Sequence, residues 1–369
     1  MREGWEYKKL GDLCDIYQPK TLATEQLVAD GKYYVYGANG IIGRYNDYNH
    51  EQSEILLTCR GATCGTINIS QPYSWINGNA MVIHRKSEDL SFDFLKYLML
   101  SLDYSLIITG AAQPQITRQK IAPIIVKFPS LSVQQSIVSE LDKINELIRL
   151  KKEQLKDYDN LAQSIFYEMF GDPVVNEKGW EKKRLGKVCS EIKYGTSKPA
   201  CDNGKYKYLR MCNLSYDGYL DLTDIKRIDV SDEEIEKCIV RYGDILFNRT
   251  NSHELIGKTC MFDQQEPMVI AGYIIRVRLT KELMPQVLAR MFNLASIKKL
   301  LRSMAKGAVN QANINSKELA SIQIPIPSLD LQQHFVKRIE LIEQQKAEIK
   351  STIQDLETLL ASRMQYWFD

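Results

Sequence analysis

The segment Gly4-Trp5-Glu6-Tyr7-Lys8-Lys9-Leu10-Gly11-Asp12-Leu13-Cys14 recurs as Gly179-Trp180-Glu181-Lys182-Lys183-Arg184-Leu185-Gly186-Lys187-Val188-Cys189, an offset of 175 with seven of eleven positions identical. A second match, Phe128-Pro129-Ser130-Leu131-Ser132-Val133-Gln134-Gln135 with Ile326-Pro327-Ser328-Leu329-Asp330-Leu331-Gln332-Gln333, has an offset of 198. That offset also aligns Gln113 with Gln311, Ile116 with Ile314 and Phe170 with Phe368. An internal repeat is the first constraint on any fold. Here each half starts and ends alike, while the second middle is 23 residues longer. A duplicated enzyme is expected to repeat its catalytic residues. This chain repeats its frame and varies its content.

The repeated ends predict two long helices. After a proline-containing strand-like run (121–129), Ser130 and Ser132 are candidate N-caps. Ile137, Leu141, Ile144, Ile148, Leu155, Tyr158, Ala162, Ile165 and Met169 then follow in steps of three and four, interrupted by Lys151. The second copy gives Phe335, Ile339, Ile342, Ile349, Ile353, Leu356, Leu360 and Trp367, interrupted by Lys346 and Arg363. Such heptads mark a coiled-coil seam. Forty residues of helix span ~60 Å, more than a domain of ~130 residues can cover. The partner stripe is therefore assigned to the other copy, in an antiparallel pair. The segments expected are a first variable domain over 1–129, a helix over 130–172, a second variable domain over 173–327 and a helix over 328–369. The fold class is α+β: two similar mixed domains joined by two antiparallel coiled-coil helices, related by a pseudo-twofold repeat.

In the first variable unit, residues 33–36, 55–58 and 81–84 read as strands and 92–100 as helix. In the second, residues 208–211, 245–247 and 273–279 read as strands and 282–304 as one helix with Pro285 early. Glu54-Ile55-Leu56-Leu57-Thr58-Cys59-Arg60-Gly61 resembles Asp244-Ile245-Leu246-Phe247-Asn248-Arg249-Thr250-Asn251: an apolar strand delivers an arginine among small polar residues. Gly110-Ala111-Ala112-Gln113-Pro114-Gln115 parallels Gly307-Ala308-Val309-Asn310-Gln311-Ala312-Asn313. Arg, Asn and Gln on loops are the side chains that pair bidentately with base edges. Ordinary turn chemistry accounts for any one of them alone; the set, present in both halves, favours a nucleic-acid face.

Composition bounds the remaining classes. With 369 residues, 44% hydrophobic and 25% charged, the chain holds two cores. Its net charge of +2 neither requires nor forbids nucleic acid. No apolar run reaches the ~18 residues of a membrane helix, and residues 1–12 have no signal-peptide core, so a cytoplasmic location is expected. The eight scattered cysteines and four separated histidines form no metal-ligand spacing. Gly37-Ala38-Asn39-Gly40-Ile41-Ile42-Gly43 is not a dinucleotide fingerprint, and phosphate-loop and amino-methyltransferase motifs are missing. No chemistry is expected from this chain alone.

The G-W-x-x-x-x-L-G-x-[LV]-C starts at Gly4 and Gly179, the strand 244–250 and the P-S-L-x-[LV]-Q-Q helix entries at Pro129 and Pro327 together resemble the specificity (S) subunit of type I restriction-modification systems. The resemblance covers the whole chain. It implies a non-catalytic subunit with two target recognition domains, each reading one half of a bipartite double-stranded DNA sequence. It implies helices that set the spacer and dock two modification (M) subunits, with restriction (R) subunits joining the core. It implies no cofactor in this chain: S-adenosylmethionine belongs to M, and ATP and Mg to R. Loop position and residue type select Arg44, Arg60, Arg85, Gln113, Gln115 and Arg118 in the first domain as DNA contacts. In the second they select Arg210, Asn248, Arg249, Asn251, Asn310, Gln311 and Asn313. The alternatives are the targeting subunit of a type IIB-like enzyme and, in another class, a coiled-coil scaffold for two protein-binding modules. A scaffold would lack the steep salt dependence of a DNA reader.

Overall fold

The computed structural model describes residues 5–110, 113–308 and 311–369, with backbone alone at Ala308 and Gln311. The chain divides into two compact units: Met1–Lys152 with Ser351–Asp369, and Glu153–Lys350. The four segments expected from the sequence are thus gathered into two bodies. Each body takes part of both long helices, Leu131–Phe170 and Leu329–Phe368.

In the first unit, Cys14–Tyr17, Ala80–Arg85, Ile55–Thr58 and Ile67–Ile69 form an antiparallel sheet in that order. The second unit repeats the order with Cys189–Tyr194, Ile274–Leu279, Ile245–Asn248 and Thr259–Met261. Ile55–Thr58 and Ile245–Asn248 are buried along their whole length, as an apolar run in a central strand should be. An acid leads each of them. Glu54 meets His84 Nδ1 at 2.9 Å, and Asp244 accepts Arg278 Nε at 2.9 Å. Burial raises the Glu54 carboxyl above the usual range. A parallel strand pair also recurs, Tyr33–Gly37 with Trp75–Ile76 and Tyr206–Leu209 with Met268–Ile270. The second unit adds the helix Asp232–Cys238 and the strand Ile239–Val240, part of its extra length.

The repeated starts and ends of the sequence close each unit on itself. Glu6–Lys9 pairs antiparallel with Ile125–Phe128, and Lys182–Arg184 with Gln323–Pro325. The repeated Leu-Gly follows at once. A Cβ on Gly11 would sit 3.0 Å from Ala122 Cβ, and one on Gly186 would sit 3.1 Å from Ala320 Cβ, so a side chain at either position would crowd the facing alanine. The first glutamine of each Gln-Gln pair is fully buried. Gln134 accepts the N–H of Ser91 at 2.8 Å and donates to Asp89 O and Pro129 O, both at 2.9 Å. Gln332 accepts the N–H of Met284 at 2.8 Å and donates to Glu282 O at 3.0 Å and Pro327 O at 2.9 Å. Ser91 and Met284 are the N-cap residues of the helices Phe92–Ser101 and Pro285–Phe292. One amide thus fastens the start of a long helix to the start of a domain helix, with its hydrogen-bonding capacity used inside the protein.

The expected helix over 282–304 is two helices, Pro285–Phe292 and Ala295–Met304. Asn293 breaks it, because its Nδ2 donates to Ala289 O and Thr259 O, both at 2.8 Å, which ties the turn to the sheet.

The helix segments run antiparallel within each unit. In the first, Glu140 accepts from Arg363 and Trp367, while Lys152 meets Glu357 at 2.8 Å. In the second, Asp159 meets Lys346 at 2.6 Å and Glu168 meets Arg338 at 3.7 Å. Ile137 and Leu141 belong to the first core, with Leu360, Met364 and Trp367 packed against it. Phe335, Ile339 and Ile342 belong to the second, with Ala162, Ile165, Phe166 and Phe170. Ile144, Ile148, Ile349 and Ile353 are buried, and Leu155, Tyr158 and Leu356 half-buried.

Gln134→Ala and Gln332→Ala each strand buried backbone partners. Each is expected to cost about 1–3 kcal/mol. Gln135→Ala and Gln333→Ala, at exposed positions, are expected to change little. Thermal unfolding of the four variants checks this.

Candidate nucleic-acid interface

In the second unit the buried strand Ile245–Asn248 emerges at Arg249 and continues as Thr250–Asn251. That short strand pairs with Gln311–Asn313, which also pairs antiparallel with Lys306–Ala308. Asn313 is the organiser. Its Oδ1 accepts from Arg249 Nε at 3.1 Å and from Thr250 Oγ1 at 3.0 Å. The Arg249 guanidinium lies 4.9 Å from the ring centre of Tyr194, whose hydroxyl is fixed by Ser316. The arginine is thus held before any ligand arrives, which lowers the entropy lost on binding.

The structure brings Arg249, Asn251 and Asn313 together, along with the backbone of Gln311. Asn310 and the side chain of Gln311 lie outside the described residues. One other choice is corrected. Asn248 is fully buried, and its Oδ1 accepts from Thr250 N at 3.3 Å, so it supports the turn from within. Arg210 is engaged by Asp224, with Nη2 2.8 Å from both its backbone oxygen and its carboxylate.

The first unit places Arg60, Gln113 and Gln115 in a corresponding loop cluster. Arg60 pairs with Gln115 through an isolated bridge, and Gly61 N donates to Pro114 O at 3.0 Å. All three side chains are exposed, as is Arg118 at the start of Arg118–Ile121. The two arginines are one residue out of step. Ile116 N bonds Cys59 O where Ile314 N bonds Arg249 O, so Arg249 corresponds to Cys59 and Arg60 to Thr250. Successive strand residues face opposite ways, so the two arginines do not occupy equivalent positions. Arg44 stands elsewhere, 4.3 Å from the Tyr34 ring centre and bonded to Gly31 O. Arg85 is engaged by Leu90 O at 3.2 Å and Glu88 at 2.9 Å.

Sequence reasoning missed a polar hub. Lys346, read only as a break in the apolar stripe, is buried; its Nζ donates to Asp159 at 2.6 Å and to the Tyr219 hydroxyl at 2.5 Å. Tyr219 also meets Glu343 and Arg290, each at 3.2 Å. Burial disfavours the Lys346 charge, but Asp159 and Tyr219 outweigh it and hold its pKa above the usual lysine value. The loop carrying Tyr219 is thereby fastened to segments of both long helices. The signal available in the sequence was a lysine at a heptad core position.

Among the described residues no group of three or more His, Cys, Asp or Glu side chains is placed to hold a metal ion. None of their helices is long and apolar enough to cross a membrane.

The family model for the type I restriction modification DNA specificity domain matches residues 2–157 and 177–358. The type I restriction enzyme EcoKI specificity subunit of Escherichia coli K12 is 25% identical over 232 residues, covering 58% of this chain and 50% of that protein. This chain spans about half, or less, of the length of the curated relatives it matches. Two solved structures share the fold. One is the type I restriction-modification S subunit from M. genitalium, with TM-score 0.55, 15% identity, and 99% of this chain and 96% of that chain covered. The other comes from work on complex assembly and conformational transition of the type I R-M system, with TM-score 0.61, 19% identity, and 99% and 97% covered.

Asp159→Ala leaves the buried Lys346 with Tyr219 and Glu343 alone. It is expected to cost roughly 2–3 kcal/mol, against about 0–1 kcal/mol for Lys152→Ala at the exposed pair with Glu357. Denaturant unfolding compares the two.

Proposed function

The chain belongs to the type I restriction modification DNA specificity domain family, and from that premise we propose that it is the non-catalytic subunit that selects the DNA target of a type I complex. Each unit reads one half of a bipartite duplex sequence. The long helices set the spacer between halves and dock two M subunits, which bind S-adenosylmethionine and methylate adenine. R subunits, with ATP and Mg, join through them. The chain itself holds no cofactor and works in the cytoplasm.

The observation that carries this reading is the recurrence of one loop cluster at the same place in the fold of both units. In each, a buried strand emerges beside a loop rich in amides. The cluster's side chains differ between units: Arg60, Gln113 and Gln115 in one, and Arg249, Asn251 and Asn313 in the other. A constant scaffold with different donors and acceptors suits two half-sites of different sequence. Arg249, steadied by Asn313 and Tyr194, is suited to a bidentate contact with guanine O6 and N7. Linking two such readers raises the effective concentration of the second at its half-site.

Co-expression with an M subunit in a methylation-free host, followed by long-read methylation mapping, tests the proposal. The expected result is a split motif with methyladenine in both halves. Arg249→Ala should relax one position of one half-site at a cost of ~1–3 kcal/mol. A uniform loss over all sequences would assign Arg249 to phosphate. A soluble complex without methylation would favour the scaffold reading. Matched heptads, one inserted after Lys152 and one before Ser351, should lengthen the spacer while leaving both half-sites unchanged.

A further inference from the structure

Cys59 stands in the first unit where Arg249 stands in the second, so the stacked pair Arg249–Tyr194 has no copy there. The pairing of the sheets shows what replaces it. Leu56 and Leu246, each two residues after the acid that leads its strand, face Val82 and Arg276. Tyr17 faces Val82 as Lys193 faces Arg276, so the next residues, Gln18 and Tyr194, correspond. In the first unit these two positions are joined by a hydrogen bond, from Gln18 Nε2 to Cys59 Sγ at 3.0 Å.

Gln18 is exposed, yet its amide is not free to turn. Nε2 carries two hydrogens and meets two acceptors, Cys59 Sγ and, at 2.9 Å, Gly78 O. Cys59 is fully buried, and burial raises its thiol above the usual range. The sulfur therefore keeps its proton, which it donates to Asn79 O at 3.2 Å. The chain after Gln18 is fixed as well. The buried Asn77 accepts from Leu22 N at 2.8 Å and donates to Leu22 O at 3.2 Å. With both donors of Gln18 used inside the protein, the group left for a ligand is Oε1, which accepts no hydrogen bond among the described residues. It is presented beside the exposed Arg60, the residue that follows Cys59.

We propose that Gln18 is a base-reading residue of the first unit, its Oε1 accepting from the exocyclic amino group of adenine or cytosine in the major groove, with Cys59 as the residue that positions it. The assignment rests on the reading of this chain as the subunit that selects DNA. A glutamine with both ends free pairs bidentately with adenine. Here the donor end is taken, so acceptor chemistry remains. Adenine N6 and cytosine N4 are donors, whereas guanine O6 and thymine O4 would meet Oε1 oxygen to oxygen. The half-site of the first unit should therefore contain one position read as adenine or cytosine.

Long-read methylation mapping of the full-length chain, co-expressed with an M subunit in a methylation-free host, tests this. Gln18→Ala should relax one position, from a preference of about tenfold or more for adenine and cytosine to about twofold or less, with the other positions unchanged. That position should lie in the half-site that changes when residues 1–129 are exchanged for those of a relative. Cys59→Ala frees one hydrogen of Nε2 and should broaden the same position. Cys59→Ser, whose hydroxyl accepts and donates as the thiol does, should keep it narrow. A purely structural role for Cys59 would instead lower methylation at all sites alike. If Cys59→Ala unfolds, Gln18→Ala at its exposed position still decides. The assignment is overturned if the wild-type chain directs a split motif and Gln18→Ala alters no position of it, relaxes a position held as guanine or thymine, or acts in the other half-site. A soluble wild-type complex that methylates nothing overturns the underlying reading, and this assignment with it.

Discussion

A forty-residue helix with one apolar stripe cannot stand alone in water, and the architecture follows from covering that stripe. Each unit solves the problem locally. It lays an antiparallel helix segment alongside and brings a domain core up to the seam: Ile137 and Leu141 in the first unit, Phe335, Ile339 and Ile342 in the second. Burial of branched apolar side chains supplies the energy. The buried amides of Gln134 and Gln332 supply direction, because an amide has an acceptor end and a donor end and accepts only one arrangement of neighbours. Apolar packing alone would tolerate a domain turned or slid along the helix.

Where one interaction dominated, the sequence was legible. Heptads specify helices because the stripe must face one way over many turns, and the structure places the first at Leu131–Phe170. The repeat announced two copies of one fold, and the four-stranded sheets agree strand for strand in order. The break at Asn293 was hidden, since it depends on a hydrogen bond to Thr259, distant in sequence. The burial of Asn248 was hidden for a related reason. Ile245–Asn248 is buried on both faces, so its pattern carries no alternation to mark where the strand leaves the core.

The arginines show how similarity of composition misleads. Arg60 and Arg249 each follow an apolar run, and the eye aligns them. The backbone bonds of Ile116 and Ile314 place them one residue apart, on opposite sides of a strand. Lys346 misleads in the other direction. A charge in an apolar stripe looks like a defect, but Asp159 and Tyr219 make it a fastening between a loop and two helix segments. Both features depend on partners brought close only by folding.

Residues that the two halves share include several that close each unit: Lys8 and Lys183 in the paired strands, Gly11 and Gly186, and Gln134 and Gln332. Between them lies sequence that contributes little to the closure itself. Such a layout separates inheritance of the frame from inheritance of the content. The enclosed loops can drift by mutation with the joint unstrained. A crossover within the repeated segments would deliver a variable domain with the residues that close it intact. The same few contacts that hold the protein together thus also define the boundaries along which it can be reshuffled.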